Sequence, residues 1–218
     1  MAIHRPPGPE RGKHMKETPP SDRRRAFSLR RELQRKSIHL GMIIIPVWVY
    51  FTPKNWGLLG LIIATFATVV LDLLRLTDHR LRQFFLRLFR SLIRSHEEEH
   101  LLGSTYFMIA ALLSVLAFEK MIAISALTFL IIGDTVAAVV GKRFGTPLYW
   151  GKSLQGSLGC FVSCLLIGAA LLDEPLIAVA GALAATIAEA LPVPMDDNMR
   201  VPIVSGLVMQ IVAHFLQG

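Results

Sequence analysis

Apolar residues run along this chain in seven stretches separated by short polar or charged breaks: residues 40–51, 56–74, 100–118, 121–140, 154–172, 175–191 and 201–217. A helix of about 20 apolar residues crosses the hydrocarbon core of a bilayer. The pattern therefore predicts an all-α polytopic membrane protein with about seven transmembrane helices. Pro46 falls inside the first stretch and predicts a kink there. Between the second and third stretches the period changes. Leu81, Phe84, Phe85, Leu88, Leu92 and Ile93 share one helical face, while Arg80, Arg87, Arg90 and Arg94 favour the other. That is the pattern of one amphipathic helix lying in the interface plane.

Composition agrees with the pattern. The 218 residues are 53% hydrophobic, with a mean hydropathy of +0.50, which excludes an ordinary soluble domain. Residues 1–26 are the exception. They carry Pro6, Pro7, Pro9, Pro19, Pro20 and many charges, and they predict a disordered basic tail that touches anionic headgroups. No apolar run precedes residue 38, so no secretory signal peptide is expected. Residues 27–218 read as a single integral-membrane domain.

The net charge of +7 matters less than where it lies. Of 23 lysines and arginines, 21 fall in the tail or in alternate connections, and Lys54 and Lys120 alone fall in the others. Basic residues stay in the cytoplasm. This predicts a cytoplasmic N-terminus, a C-terminus on the opposite side and an odd number of spans. The basic excess thus points to a bilayer, and no nucleic-acid partner is expected. A homo-oligomer is compatible with the sequence.

The acids are not explained by topology, because Asp and Glu contribute little to it. Asp134 sits within an apolar helix, where a carboxylate is a functional hypothesis by default. Glu189, Asp196, Asp197 and Asn198 fall at the same predicted side. So do Arg35, Lys36 and His39 at the start of the first span, Lys142 and Arg143 after the fourth, and Lys152, Ser153, Gly156 and Ser157 opening the fifth. Lysine, two hydroxyls and the amino end of a helix suit phosphoryl oxygens. The carboxylates supply hard oxygens suited to Mg²⁺, which takes one or two of them plus substrate phosphates. Together these are the parts of phosphoryl transfer. The tripeptide at 151–153, Gly-Lys-Ser, is not a P-loop. Thr146 stands where the first glycine belongs, and an apolar helix replaces the strand.

Packing signals converge on the same place. Gly133, Ala137 and Gly141 form one small-residue ridge, and Gly156, Cys160, Cys164 and Gly168 form another. Such ridges let helices approach closely in lipid. They predict a tight bundle of the fourth, fifth and sixth spans that aims Asp134, Lys152 and Glu189 at one point. The two cysteines read as small packing residues.

Three motifs carry a resemblance. The first is Glu32, Arg35, Lys36 and His39 at E-x-x-R-K-x-x-H spacing. The second joins Gly133, Asp134, Ala137, Gly141, Lys142 and Gly145 to Lys152, Ser153, Leu154, Gly156 and Ser157. The third is Glu189 followed by Asp196, Asp197, Asn198 and Pro202. From about residue 32 onward the chain resembles the membrane lipid-alcohol kinases, the family of dolichol kinase, phytol kinase and CTP-dependent diacylglycerol kinase. Gln155 departs from the Glu or Ala that many relatives carry. The resemblance implies transfer of the γ-phosphate of a nucleoside triphosphate to a membrane lipid alcohol at the cytoplasmic face. The alcohol would be a polyprenol, a phytol-like isoprenoid or diacylglycerol. CTP is the expected donor, with ATP as the alternative, and Mg²⁺ the expected cofactor. On that reading, catalysis is expected of Asp134, Lys36 and His39. Phosphate binding falls to Arg35, Lys142, Arg143, Lys152, Ser153, Gly156 and Ser157, and the metal to Asp134, Glu189, Asp196, Asp197 and Asn198. The competing readings are CMP transfer of the phosphatidate cytidylyltransferase kind and a small ion-coupled transporter.

Overall fold

The computed structural model describes residues 36–89, 99–146 and 151–217. The regular elements among them are helices: α1 (Lys36–Phe51), α2 (Lys54–Thr77), α3 (His79–Phe89), α4 (Gly103–Ala117), α5 (Lys120–Phe144), α6 (Leu154–Leu171), α7 (Pro175–Ala190) and α8 (Asp197–Gln217). Each of the seven apolar stretches became one helix. Four of these helices, α2, α5, α6 and α8, are long and apolar enough to cross a membrane, whereas α1, α4 and α7 have at most 17 residues. At 1.5 Å per residue the shorter three fall below the ~30 Å hydrocarbon thickness.

The core lies around α5. In its most apolar window 61% of residues are buried, against 22% for α2 and for α6. Phe129, Leu130 and Ile131 are completely inaccessible. The outer helices turn Ile63, Phe66, Leu166 and Ile187 outward, as a lipid-facing surface requires.

The small-residue ridges meet as expected. A Cβ on Gly156 would lie 2.8 Å from the Ala137 carbonyl oxygen, and one on Gly133 would lie 2.7 Å from Cys164 Sγ. Cys160 and Cys164 are buried free thiols against that ridge. Further along, α6 meets α7 at Gly168 and Ala178, and α7 meets α8 at Gly181 and Met209.

Pro46 acts one turn upstream of itself. Without an N–H it cannot bond the Met42 carbonyl, which instead accepts from Ile45 at 3.0 Å. The helix tightens into turns at residues 42–43 and resumes at Ile44. At the end of α2, Asp72 and Arg75 pair as their i, i+3 spacing predicts, Arg75 Nε donating to Asp72 Oδ1 at 2.7 Å. Asp72 Oδ2 also accepts from Leu102 N and Thr105 Oγ1, both at 2.7 Å, and Arg75 Nη2 donates to the His100 carbonyl at 2.6 Å. This buried set fastens α2 to the start of α4. On α3, Leu81, Phe84 and Leu88 are exposed beside Arg80 and Arg87. Leu92, Ile93, Arg90 and Arg94 lie outside the described residues.

Candidate functional site

Five helices end or begin at one end of the bundle and enclose a cleft of about 420 Å³. The first residue of α1 reaches it, as do the second half of α5, the first turn of α6, the last turn of α7 and the first turn of α8. Its charged lining is Lys36, Asp134, Lys142, Lys152, Glu189 and Asp197. Ala137, Gly141 and Gly156 give it a bare wall where α5 and α6 touch.

Local structure explains each placement. Just before Asp134, α5 widens into a π turn over Phe129–Gly133. A π turn carries one more residue per turn than the α-helix, and so rotates the downstream residues about the axis. It sets the face on which Asp134 emerges. Asp134 accepts a hydrogen bond from Lys36 Nζ, and His39 Nε2 lies 3.5 Å from the same oxygen. Both partners are buried on α1. The i, i+3 spacing read from the sequence therefore brings a lysine ammonium and an imidazole to one acid 98 residues away from Lys36.

The amino end of α6 is capped by its own sequence. Ser153 accepts from Gly156 N at 3.1 Å, the N-cap pattern. The serine proton is left to donate elsewhere. A Cβ on Gly141 would lie 2.7 Å from that hydroxyl oxygen, so only glycine fits beside the cap. Gln155 accepts from Thr146 N at 3.3 Å and ties the end of the α5 loop to α6.

Lys152 is the hub of the other half. Its Nζ donates to Glu189 Oε1 at 2.5 Å and lies 3.4 Å from Asp197 Oδ2. Partial burial pulls its pKa down. The hydrogen bond to Glu189 and the charges of Asp197, Glu189 and Asp134 outweigh that, and hold it above the usual lysine value. Lys152 is a stable cation at neutral pH. Glu189 is 3% exposed and has no apolar reason to be where it is.

The remaining sequence candidates divide. Ser157 and Lys142 line the cleft. Arg143 is exposed and lies over the Phe144 ring, 5.6 Å from its centroid, and it is not part of the cleft wall. Asp196 caps α8: its Oδ1 accepts from Asn198 N at 2.9 Å, and its carbonyl accepts from Met199 and Arg200 N, both at 3.0 Å. Neither Asp196 nor Asn198 is on the cleft wall. Arg35 and Glu32 lie outside the described residues.

Among the described residues no three His, Cys, Asp or Glu side chains converge as a closed metal site. Asp134, Glu189 and Asp197 nevertheless present hard oxygens to one cavity. Asp134 is paired with Lys36, and Glu189 and Asp197 with Lys152, so these oxygens could hold a cation only together with substrate phosphates.

Sequence reasoning missed Arg200. Its side chain is buried and donates to the Val193 carbonyl at 3.1 Å and to Asp197 Oδ1. The available signal was a cation in the first turn of a helix, against the dipole.

Comparison with known proteins places the chain. It is 37% identical over 139 residues to uncharacterized protein RP860 of Rickettsia prowazekii, covering 62% of this chain and 68% of the relative. It is 32% identical over 207 residues to a probable chloroplastic phytol kinase of Triticum aestivum, covering 83% of this chain and 67% of that one. The chain belongs to the lipid-alcohol kinase family. A CTP-dependent diacylglycerol kinase 1 of Saccharomyces cerevisiae is a more distant member, 25% identical over 217 residues, with coverage of 85% and 75%. The chain spans about two thirds of the length of the phytol kinases it matches. No family model matches it, and no solved structure does. In this member of the lipid-alcohol kinase family, the cleft contains residues from all three motifs that carried the resemblance.

Proposed function

We propose that the protein transfers the γ-phosphate of CTP, with ATP as alternative donor, to the hydroxyl of a membrane lipid alcohol. The observation that supports this most is the single cleft shared by Asp134, Lys152, Glu189 and Asp197 in a chain of this family. Lys152 and Lys142, with the Ser153 and Ser157 hydroxyls, bind the phosphates. Asp134, Glu189 and Asp197 would hold Mg²⁺ together with phosphate oxygens, and the ion would neutralise charge on the transferring group. Lys36 and His39 hold the Asp134 carboxylate at the point where the acceptor hydroxyl arrives. The lipid oxygen bonds to the γ-phosphorus, the bond from that phosphorus to the bridging oxygen breaks, and the acceptor proton passes to the Asp134 and His39 pair. A nucleoside diphosphate leaves.

The same reading orients the molecule. All seven apolar helices cross or enter the bilayer, α3 lies in the interface on Leu81, Phe84 and Leu88, and the cleft faces the cytoplasm. The positive-inside distribution supports that side. A lipid alcohol carries its hydroxyl near headgroup depth, where the helix ends lie. Phytol-like alcohols and diacylglycerol are the first acceptors to test, because relatives carry those names; polyprenols follow from chemistry alone.

The test is phosphotransfer by purified protein in mixed micelles, with CTP labelled on the γ- or the α-phosphate, against the three alcohols. Label from the γ position alone must appear in lipid. Label from the α position would mean CMP transfer, and absence of lipid label with every donor and alcohol would refute the kinase reading.

A further inference from the structure

Arg200 is placed where helix physics disfavours it. It stands in the first turn of α8, four residues after the Asp196 cap, where the helix dipole repels a cation. It is 6% exposed, and its Nε has no hydrogen-bond partner among the described residues. Burying a guanidinium with its Nε left without a partner is poor design for stability alone, because buried ion pairs seldom improve on apolar packing. The two terminal nitrogens are used in a particular way. Nη1 bonds the Val193 carbonyl at 3.1 Å, in the short connection that follows α7. Nη2 bonds Asp197 Oδ1. The other oxygen of the same carboxylate, Oδ2, lies 3.4 Å from Lys152 Nζ on the cleft wall.

We infer that Arg200 is a positioning residue that fixes the Asp197 carboxylate, one oxygen anchored and the other turned to the cleft. The inference rests on the kinase reading of the cleft. With Oδ1 anchored, Asp197 touches Lys152 by Oδ2 alone and at long range, while Glu189 makes the close bond at 2.5 Å. Lys152 is thereby shared between two acids instead of being locked to both. When phosphate arrives, Lys152 moves to it and Oδ2 is already aimed at the space the triphosphate fills. Without Arg200 the carboxylate rotates and closes on Lys152 with both oxygens. The cation the phosphates need is then neutralised.

A double-mutant cycle on Arg200→Gln and Asp197→Asn tests this, with Arg200→Lys as the conservative variant. Outer groups that orient a ligating side chain cost about 10–100-fold in affinity or activity when removed. R200Q should therefore raise the KM for the nucleotide and lower kcat/KM within that range. R200K, which can reach one of the two acceptors but not both, should recover part of the loss. The deciding outcome is the cycle. If Arg200 works through Asp197, R200Q has little further effect in the D197N background, and the two losses do not add. Full additivity, or a loss seen only in the thermal midpoint with kinetics unchanged, overturns the positioning role and leaves a structural contact to Val193. Wild-type protein that binds no nucleotide and labels no alcohol overturns the kinase reading, and the role for Arg200 with it.

Discussion

Replacing Asp134 by Asn removes one charge and keeps the shape of the side chain. In the folded protein that carboxylate accepts from Lys36 and sits 3.5 Å from His39 Nε2. The Lys36 and Asp134 side chains are 6% and 17% exposed. Leaving one buried partner without its counter-charge costs about 3–5 kcal/mol in a protein interior. The amide oxygen still accepts one hydrogen bond, and the lysine stem can lift its ammonium toward the open end of the cleft. The stability loss should therefore fall to about 2 kcal/mol. Turnover should respond more steeply. A carboxylate that takes the acceptor proton contributes about 10²–10⁴-fold, or roughly 3–5 kcal/mol of barrier. The assay is γ-label transfer in mixed micelles, read beside the thermal midpoint of the same preparation. The double variant K36M/D134N removes the stranded ammonium, and should regain the midpoint while turnover stays lost. Turnover of D134N within about threefold of wild type would remove Asp134 from the chemistry. Turnover that returned with the midpoint in K36M/D134N would show that the carboxylate only props the fold.

Three further outcomes come from the packing and the charges. Gly156→Ala places a Cβ 2.8 Å from the Ala137 carbonyl and 2.9 Å from Ser153 Oγ; it should cost about 1–3 kcal/mol by midpoint and lower turnover, whereas Gly41→Ala, with nothing within 4 Å, should be neutral. Because Lys152 titrates above its ordinary 10.5, the stability of its pairs with Glu189 and Asp197 is fully present below pH 10.5 and is lost only as pH rises through the raised value. The midpoint of wild type should fall beyond pH 10.5 more than that of Lys152→Met, and equal falls would refute the pairing. Asp72→Ala strands Arg75, Thr105 and the Leu102 N–H together; it should cost about 3–5 kcal/mol and cut the yield of folded protein, while any protein recovered keeps its nucleotide KM.

Much of this architecture could be read from the chain because lipid and burial act on long segments. Each apolar run became a helix, the Asp72 and Arg75 pair formed, and the glycine ridges of α5 and α6 met face to face. The convergence of Asp134, Lys152 and Glu189 was legible for the same reason: small ridges fix which helices touch. Partner choice was not legible. Nothing in the local sequence says that Lys152 takes Glu189 closely and Asp197 at a distance, since that depends on side-chain reach across three helices. Asp196 and Asp197 are adjacent and alike, yet one caps a helix and the other faces the cleft. One stands before the helix and the other is its first residue, and composition cannot show it. Topology rules account for any arginine in a connection predicted to be cytoplasmic, so they hide what sets Arg200 apart.

The π turn at Phe129–Gly133 makes the site depend on how the residues before Asp134 wind as well as on which ones they are. Wound as ordinary α-helix, the same five residues would each turn about 100° instead of roughly 80° and would swing the acid by roughly 90° around the helix axis, whereas deleting one of them at the same time would nearly restore its direction. Alanine substitutions would leave that offset untouched and so would not reveal it. Relatives aligned across this stretch are best compared by gap position first, since a chain one residue shorter there can wind as plain α-helix and still aim the acid the same way.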